Sequence, residues 1–317
     1  MRALFAWIAV LLLPAPVVAQ NVEAEIVRLW PGSPPGSGRP EGPEKVGRSG
    51  SAIGAVSNVT EPRLEIYRPA KPNGAAALVI GGGGYFRIQI GTAARPTAAA
   101  LVARGVTVAV LYYRLPGDGW NADAPFQDGQ RAMRVLRANA KRLGIASDRI
   151  GVIGFSAGGH LAGMLATRDG GADFYPKRDA TDALSGRPDY VALIYPVVSM
   201  QAPIDTTRTK RELSVLPGYR DRYSVERLVS AATPPMFLAH AADDPIADVR
   251  HSLWLFDALR KAKRPVELHV FATGGHSWGI GRPGSEVAQW PEMLARWGRT
   301  NGWLGASPPR DDGTDQD

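Results

Sequence analysis

Short apolar runs recur along the chain, separated by stretches with the 3.6-residue spacing of helices. Ala76-Ala77-Leu78-Val79-Ile80, Val106 to Leu111, Ile150-Gly151-Val152-Ile153, Tyr190 to Tyr195, Met236 to His240 and Val266 to Phe271 are each the length of a strand. Several are apolar at every position, the pattern of strands covered on both faces. Between them, helices are predicted over Ala93 to Arg104, Asp128 to Leu143, Val249 to Lys261 and Pro291 to Trp303. Gly105 and Gly144 close the first two, and Asp128 is the expected N-cap of the second. Arg63-Leu64-Glu65-Ile66-Tyr67 alternates and predicts an early edge strand. Strand and helix in alternation define an α/β class with a mainly parallel sheet and helices on both faces.

The regions outside this rhythm are equally informative. Residues 20–62 are rich in Pro, Gly and Ser and predict an extended arm without a core of its own, pinned by Trp30. Residues 63–304 then form the folded domain, and 305–317 a polar, disordered tail. A polar surface excursion is expected over 169–188. Residues 199–230 carry many charges and little periodicity, and are assigned to an insertion over the carboxyl edge of the sheet, a candidate lid or substrate wall.

One pentapeptide organises the rest: Gly154-Phe155-Ser156-Ala157-Gly158, preceded by a strand and followed by the Ala- and Leu-rich run from Gly159 to Ala166. In strand–turn–helix context, G-x-S-x-G presents the serine hydroxyl on a sharp, strained turn. The flanking glycines leave room where the strand folds back onto the helix, and the helix start places the Ala157 N–H beside any oxyanion formed at Ser156. Four glycines, Gly81 to Gly84, follow the Ala76–Ile80 strand. A phosphate loop is a poor match because no Lys-Ser/Thr follows; a loop of oxyanion donors fits better.

A serine nucleophile needs a base and an orienting carboxylate. Among five histidines, His276 sits in a Gly-flanked loop after a strand. His269 lies inside a strand and is read as structural. His251 is expected at the surface, His240 in local hydrogen bonding, and His160 pointing away from the serine hydroxyl. Asp243, Asp244 and Asp248 compete for the acid, and Asp244, before Pro245, is favoured. Asp248 is expected to cap the following helix. Ser156, Asp244 and His276 stand in the chain order of a nucleophile-elbow triad. A paired-carboxylate glycosidase would leave the serine, glycine loop and histidine unexplained. The histidines lack metal-ligand spacing, so neither metal nor cofactor is expected.

Composition narrows the setting. With 317 residues, 44% hydrophobic and 21% charged, the chain is of an ordinary globular kind. Met1-Arg2, the apolar run to Leu13 and Val17-Val18-Ala19 have the form of a secretory signal peptide over 1–19, and predict a periplasmic or secreted protein. An uncleaved anchor is the alternative. The absence of cysteine excludes disulfides and thiolate chemistry. A net charge of +7, with Arg131, Arg134, Arg137, Lys141 and Arg142 on one predicted helix, is read as solvated faces. Those positions lack the interleaved aromatics of a nucleic-acid site, so no nucleic-acid partner is expected, and no membrane partner after signal cleavage.

Residues 78–160 and 236–279 resemble the α/β-hydrolase superfamily, and within it exported acetylxylan-esterase-like and feruloyl-esterase-like proteins of the hormone-sensitive-lipase-related branch. The resemblance is carried by Gly82-Gly83-Gly84-Tyr85, Tyr113-Arg114-Leu115, Asp128-Gly129-Gln130-Arg131-Ala132, Gly154 to Leu161, Asp244-Pro245 and Gly275-His276, with Leu29-Trp30-Pro31-Gly32 as a matching lead-in. It implies oxyanion donors at Gly83, Gly84 and Ala157. Gly81 departs from the pattern, since relatives carry His or Pro there. The expected function is hydrolysis of short-chain esters, acetyl or feruloyl groups on small-molecule or oligosaccharide substrates. Tyr85, Phe86 and Trp278 are candidates to pack a sugar or aryl ring. A prolyl-oligopeptidase-type peptidase and a non-catalytic carbohydrate-binding relative are the competing classes.

Overall fold

The computed structural model describes residues 24–168 and 173–304; the expected signal peptide and C-terminal tail lie outside them. In chain order the elements are β1 (Glu25–Arg28), β2 (Lys45–Val46), β3 (Ala55–Ser57), β4 (Arg63–Tyr67), β5 (Ala76–Ile80), β6 (Ile88–Gln89), α1 (Arg95–Val102) and β7 (Thr107–Tyr112). There follow α2 (Ala124–Ala138), α3 (Ala140–Leu143), β8 (Ile150–Phe155), α4 (Ala157–Thr167), β9 (Val191–Ile194), α5 (Arg208–Leu213) and α6 (Tyr219–Tyr223). The chain then forms β10 (Met236–Ala241), α7 (Arg250–Lys261), β11 (Val266–Phe271) and α8 (Trp290–Thr300).

Eight strands form the main sheet in the order β1-β4-β7-β5-β8-β9-β10-β11. The pairs β1–β4 and β4–β7 are antiparallel, and from β7 onward every pair is parallel. Every residue of β5, β7, β8, β9 and β10 is buried, because helices cover both faces. On one face α2 packs against α4. On the other, α1 and α8 meet around Leu101, Trp290 and Leu294. The strands β5, β8, β9, β10 and β11 run in the same direction, so the loops that follow them gather along one carboxyl edge, where ligands bind in open α/β sheets.

The N-terminal arm differs from expectation. It supplies β1, which pairs antiparallel with β4, so β4 is not the edge. Leu29 and Trp30 are buried in the core. A second small sheet, β2-β3-β6, ties the arm to the segment after β5.

Asp128 is not an N-cap. Pro125 occupies the first turn of α2, where its missing N–H costs nothing, and the helix starts ahead of Asp128. The carboxylate is instead wholly buried. It accepts from Trp30 Nε1 (2.8 Å), from the backbone N–H of Arg114 (2.9 Å) and from the Arg114 guanidinium, which is itself fully buried. Of the basic residues read as solvated, Lys141 and Arg142 are exposed and Arg137 is partly buried, but Arg131 and Arg134 are buried. Arg131 pairs with Asp179 (2.6 Å) and Asp182 (2.8 Å), and Arg134 with Asp173, so the 169–188 excursion carries the carboxylates that neutralise this helix. The sequence pattern misreads these residues because a buried, paired arginine has the same composition as an exposed one.

Candidate active site

Ser156 follows directly on β8 and precedes α4, with φ 53° and ψ −118°, a strained conformation for a residue with a side chain. The surroundings hold it there. A Cβ on Gly154 would lie 2.3 Å from the Gly158 carbonyl oxygen, and one on Gly158 the same distance from that of Ile80. Both are impossible contacts, so the strand can fold this tightly onto α4 only with glycine at those positions.

Ser156 Oγ lies 2.8 Å from His276 Nε2, and His276 Nδ1 lies 2.6 Å from Asp244 Oδ2. The three side chains come from the loops after β8, β11 and β10, and the structure thus brings together all three sequence candidates. Asp244 Oδ1 accepts from the backbone N–H groups of Ile246 (2.8 Å) and Ala247 (2.9 Å), which fixes the carboxylate plane. Burial raises the Asp244 pKa, but hydrogen bonds from His240 and His276 outweigh it and hold the carboxyl well below the usual carboxylate range. The group therefore stays ionised beside the imidazole. Asp243 stands apart from the triad. It accepts from the N–H of Gly275 (2.8 Å) and ties down the loop carrying His276.

The remaining histidines are structural. His160 is buried and points away from Ser156; its Nε2 donates to the Tyr223 carbonyl (2.7 Å) and its Nδ1 accepts from Tyr85 Oη (2.9 Å). Burial lowers its pKa to about 4. His240 donates from Nε2 to the Ala247 carbonyl (2.9 Å) and lies 3.3 Å from Asp244 Oδ2, so it buttresses the acid from behind. His269 bonds Glu267 (2.7 Å) within β11. His251, expected at the surface, is fully buried: its Nδ1 accepts from the N–H groups of Val198 and Ser199, and burial lowers its pKa to about 3. Its place on the inward stripe of α7 explains the difference. Asp248 accepts from the Arg250 N–H (2.9 Å) at the start of that helix.

Ser156 and His276 open onto a cleft of about 230 Å³. Gly82, Gly83 and Gly84 form one wall, and Thr207, Arg208 and Thr209 of the 199–230 insertion form another. The candidate oxyanion donors Gly83 and Gly84 therefore share the cleft with Ser156, while Ala157 opens α4 immediately behind it. Two candidate substrate contacts are corrected. Tyr85 has φ 62°, which turns its ring inward; it is fully buried, bonded to His160, with the rings of Tyr113 and Phe126 about it. Trp278 packs edge-on against Tyr195 (4.6 Å between centroids) and Phe271, and does not line the cleft. The aromatic residues that do line the cleft are Phe86, Phe155 and Tyr195. Tyr195 gives no local signal in the sequence, being the last residue of an apolar run. Its ring lies 4.8 Å from that of His276, and its hydroxyl accepts from the Gly279 N–H, so it positions the histidine loop.

Sheet order, elbow and the Ser–His–Asp contact together define an α/β-hydrolase. The chain belongs to the BD-FAE family, whose model matches residues 64–259. It is 28% identical over 71% of its length to an acetylxylan esterase of Xylanibacter ruminicola, covering 45% of that protein. It is 33% identical over 55% of its length to endo-1,4-beta-xylanase B of Butyrivibrio fibrisolvens, covering 28% of it. The chain thus spans less than half the length of either curated relative. Among solved structures, an acetyl ester-xyloside bifunctional hydrolase from Caldicellulosiruptor lactoaceticus superimposes with a TM-score of 0.71 at 33% identity, over 86% of this chain and 99% of that one.

Proposed function

We propose that this protein hydrolyses short-chain carboxylic esters, with acetyl or feruloyl groups on plant-polysaccharide fragments as its substrate class, and that it acts in the periplasm or outside the cell. The observation that carries the reading is the unbroken line of hydrogen bonds from Ser156 Oγ through His276 to Asp244, ending in a small cleft. In this mechanism Ser156 Oγ attacks the ester carbonyl while His276 Nε2 takes its proton. The N–H groups of Gly83, Gly84 and Ala157 receive the oxyanion, each donor contributing about 3 kcal/mol. Collapse of the tetrahedral intermediate expels the alcohol, protonated by His276, and leaves an acyl-Ser156. Water, deprotonated by His276, then releases the acid. Asp244 holds the imidazole with Nδ1 protonated and stabilises the imidazolium.

Kinship with the acetylxylan esterase and the modest cleft volume favour small acyl groups. The test is hydrolysis of p-nitrophenyl acetate, butyrate and octanoate by the native chain and by Ser156→Ala. Turnover that is fastest on acetate and vanishes in the variant is expected. Full activity in Ser156→Ala, or none in the native chain on any ester, would overturn the proposal.

A further inference from the structure

We propose that the cleft selects esters bearing a carboxylate elsewhere on the molecule, and that Arg87 is the group that recognises it. This rests on the esterase reading above.

Two guanidinium groups border the cleft and share one aromatic ring. Arg87 Cζ lies 5.0 Å and Arg208 Cζ 4.7 Å from the centroid of Phe86. Their stems run along the glycine loop. A Cβ on Gly83 would come within 2.8 Å of Arg87 Cγ, and one on Gly84 within 2.9 Å of Arg208 Cβ. The bare glycines therefore do more than expose N–H groups; they let two cations lie beside the reaction centre.

The two cations are not equivalent. Arg208 is paired with Glu212 one turn along α5. Arg87 has the face of Phe86, and its Nε is buried with no hydrogen-bond partner among the described residues. A buried donor without an acceptor costs free energy, so a native structure that keeps one invites a ligand to satisfy it. Nε is also half of the fork, Nε with its neighbouring Nη, that grips a carboxylate through two parallel bonds. Among the described residues lining the cleft none is Asp or Glu, so nothing there competes for Arg87. The wall beyond Arg208 adds Lys210 and Arg211; Lys210 and Arg220 both pair with Asp205, and Arg211 with Glu212, so cations outnumber carboxylates there. An anionic ester, such as one on a uronic-acid-bearing sugar, meets a positive field at the cleft and, on its wall, the Arg87 guanidinium, whose Nε the described residues leave without an acceptor.

The experiment compares charged and neutral esters of the same shape. Para-acetoxybenzoate against its methyl ester places the carboxylate on the alcohol side; para-nitrophenyl hydrogen succinate against its methyl ester places it on the acyl side. In one pair, kcat/KM for the charged member should exceed that of the neutral one by about fivefold or more at low salt, through KM. The preference should shrink in about 0.5 M NaCl, collapse toward unity in Arg87→Gln, and survive in part in Arg87→Lys. Because each ratio is taken within one variant, the fraction of folded protein cancels. The pair that responds identifies the side of the ester that faces Arg87. Ratios near unity in both pairs, or a ratio unchanged in Arg87→Gln, overturn this inference alone. Loss of turnover on all four esters in the native chain overturns the esterase reading with it.

Discussion

Replacing Asp244 by Asn tests the catalytic assignment most directly, because the structure dictates how the amide must sit. Oδ1 accepts two backbone N–H groups, from Ile246 and Ala247, and an amide NH2 in that place would face two donors with a donor. The Asn oxygen therefore keeps the Oδ1 position, and its NH2 points at His276 Nδ1, where the carboxylate oxygen lay 2.6 Å away. His276 must then accept at Nδ1 and carry its proton on Nε2, facing Ser156. In that tautomer the imidazole cannot take the serine proton. The equivalent change in a serine-protease triad lowers kcat about ten-thousand-fold, or about 5.5 kcal/mol of barrier. The same loss is expected here in steady-state p-nitrophenyl acetate hydrolysis. Since the loop bonds of Asp244 survive, the thermal midpoint should move by no more than about 5 °C. A fall in kcat of less than about tenfold in a folded variant would refute the assignment and move the acid to Asp243.

Three further outcomes follow from the geometry. His160 and His251 are buried with pKa values lowered to about 4 and about 3, so the unfolded chain binds more protons than the folded one below the ordinary histidine value of about 6.5. Their contribution to stability is complete above pH 6.5 and is lost as pH falls through that window, by up to about 1.4 kcal/mol per pH unit for each histidine; urea titrations at several pH values should show a slope that is shallower in His160→Gln. Gly158→Ala drives a methyl to 2.3 Å from the Ile80 carbonyl and should cost about 3 kcal/mol or more with loss of esterase activity, whereas Gly32→Ala, with nothing within 4 Å, should stay within about 0.5 kcal/mol by the same denaturation assay. Arg114→Met strands the Asp128 carboxylate in the core and should lower stability by about 3–5 kcal/mol; a loss under about 1 kcal/mol would mean that water reaches the site.

The alternation of strands and helices is legible in the sequence because buried parallel strands leave continuous apolar runs, as in β5 and β10. The three triad candidates are legible because each is marked by its own neighbours: glycines around Ser156, Pro245 after Asp244, glycines before His276. The cleft wall is legible only as a region, the 199–230 insertion, and not residue by residue. Arg87 and Tyr195 lie in two separate loops and Arg208 at the first turn of α5, and nothing local to any of the three announces a shared surface. Tyr85 and Phe86 show the limit at single-residue scale. Both are aromatics after a glycine run, and only the positive φ of Tyr85 sends one ring into the core and leaves the other at the cleft. Asp128 misleads for a related reason: an aspartate near a helix start reads as a cap, and its true partners, Trp30 and Arg114, lie 98 and 14 residues away.

The docking of the arm bears on where this chain can be cut. A shortened version starting at residue 63 would look complete by its motifs, since every triad residue and the whole glycine loop would remain. It would nonetheless lose β1, uncovering the backbone of β4 as a bare sheet edge, the kind of surface on which strands of neighbouring molecules assemble. It would also lose the Trp30 donor to Asp128 and the Pro35 carbonyl that accepts from Arg114, leaving a buried ion pair with unfilled valences behind the sheet. The useful N-terminal boundary for expression therefore lies ahead of Glu25, in a region that composition alone would mark as dispensable.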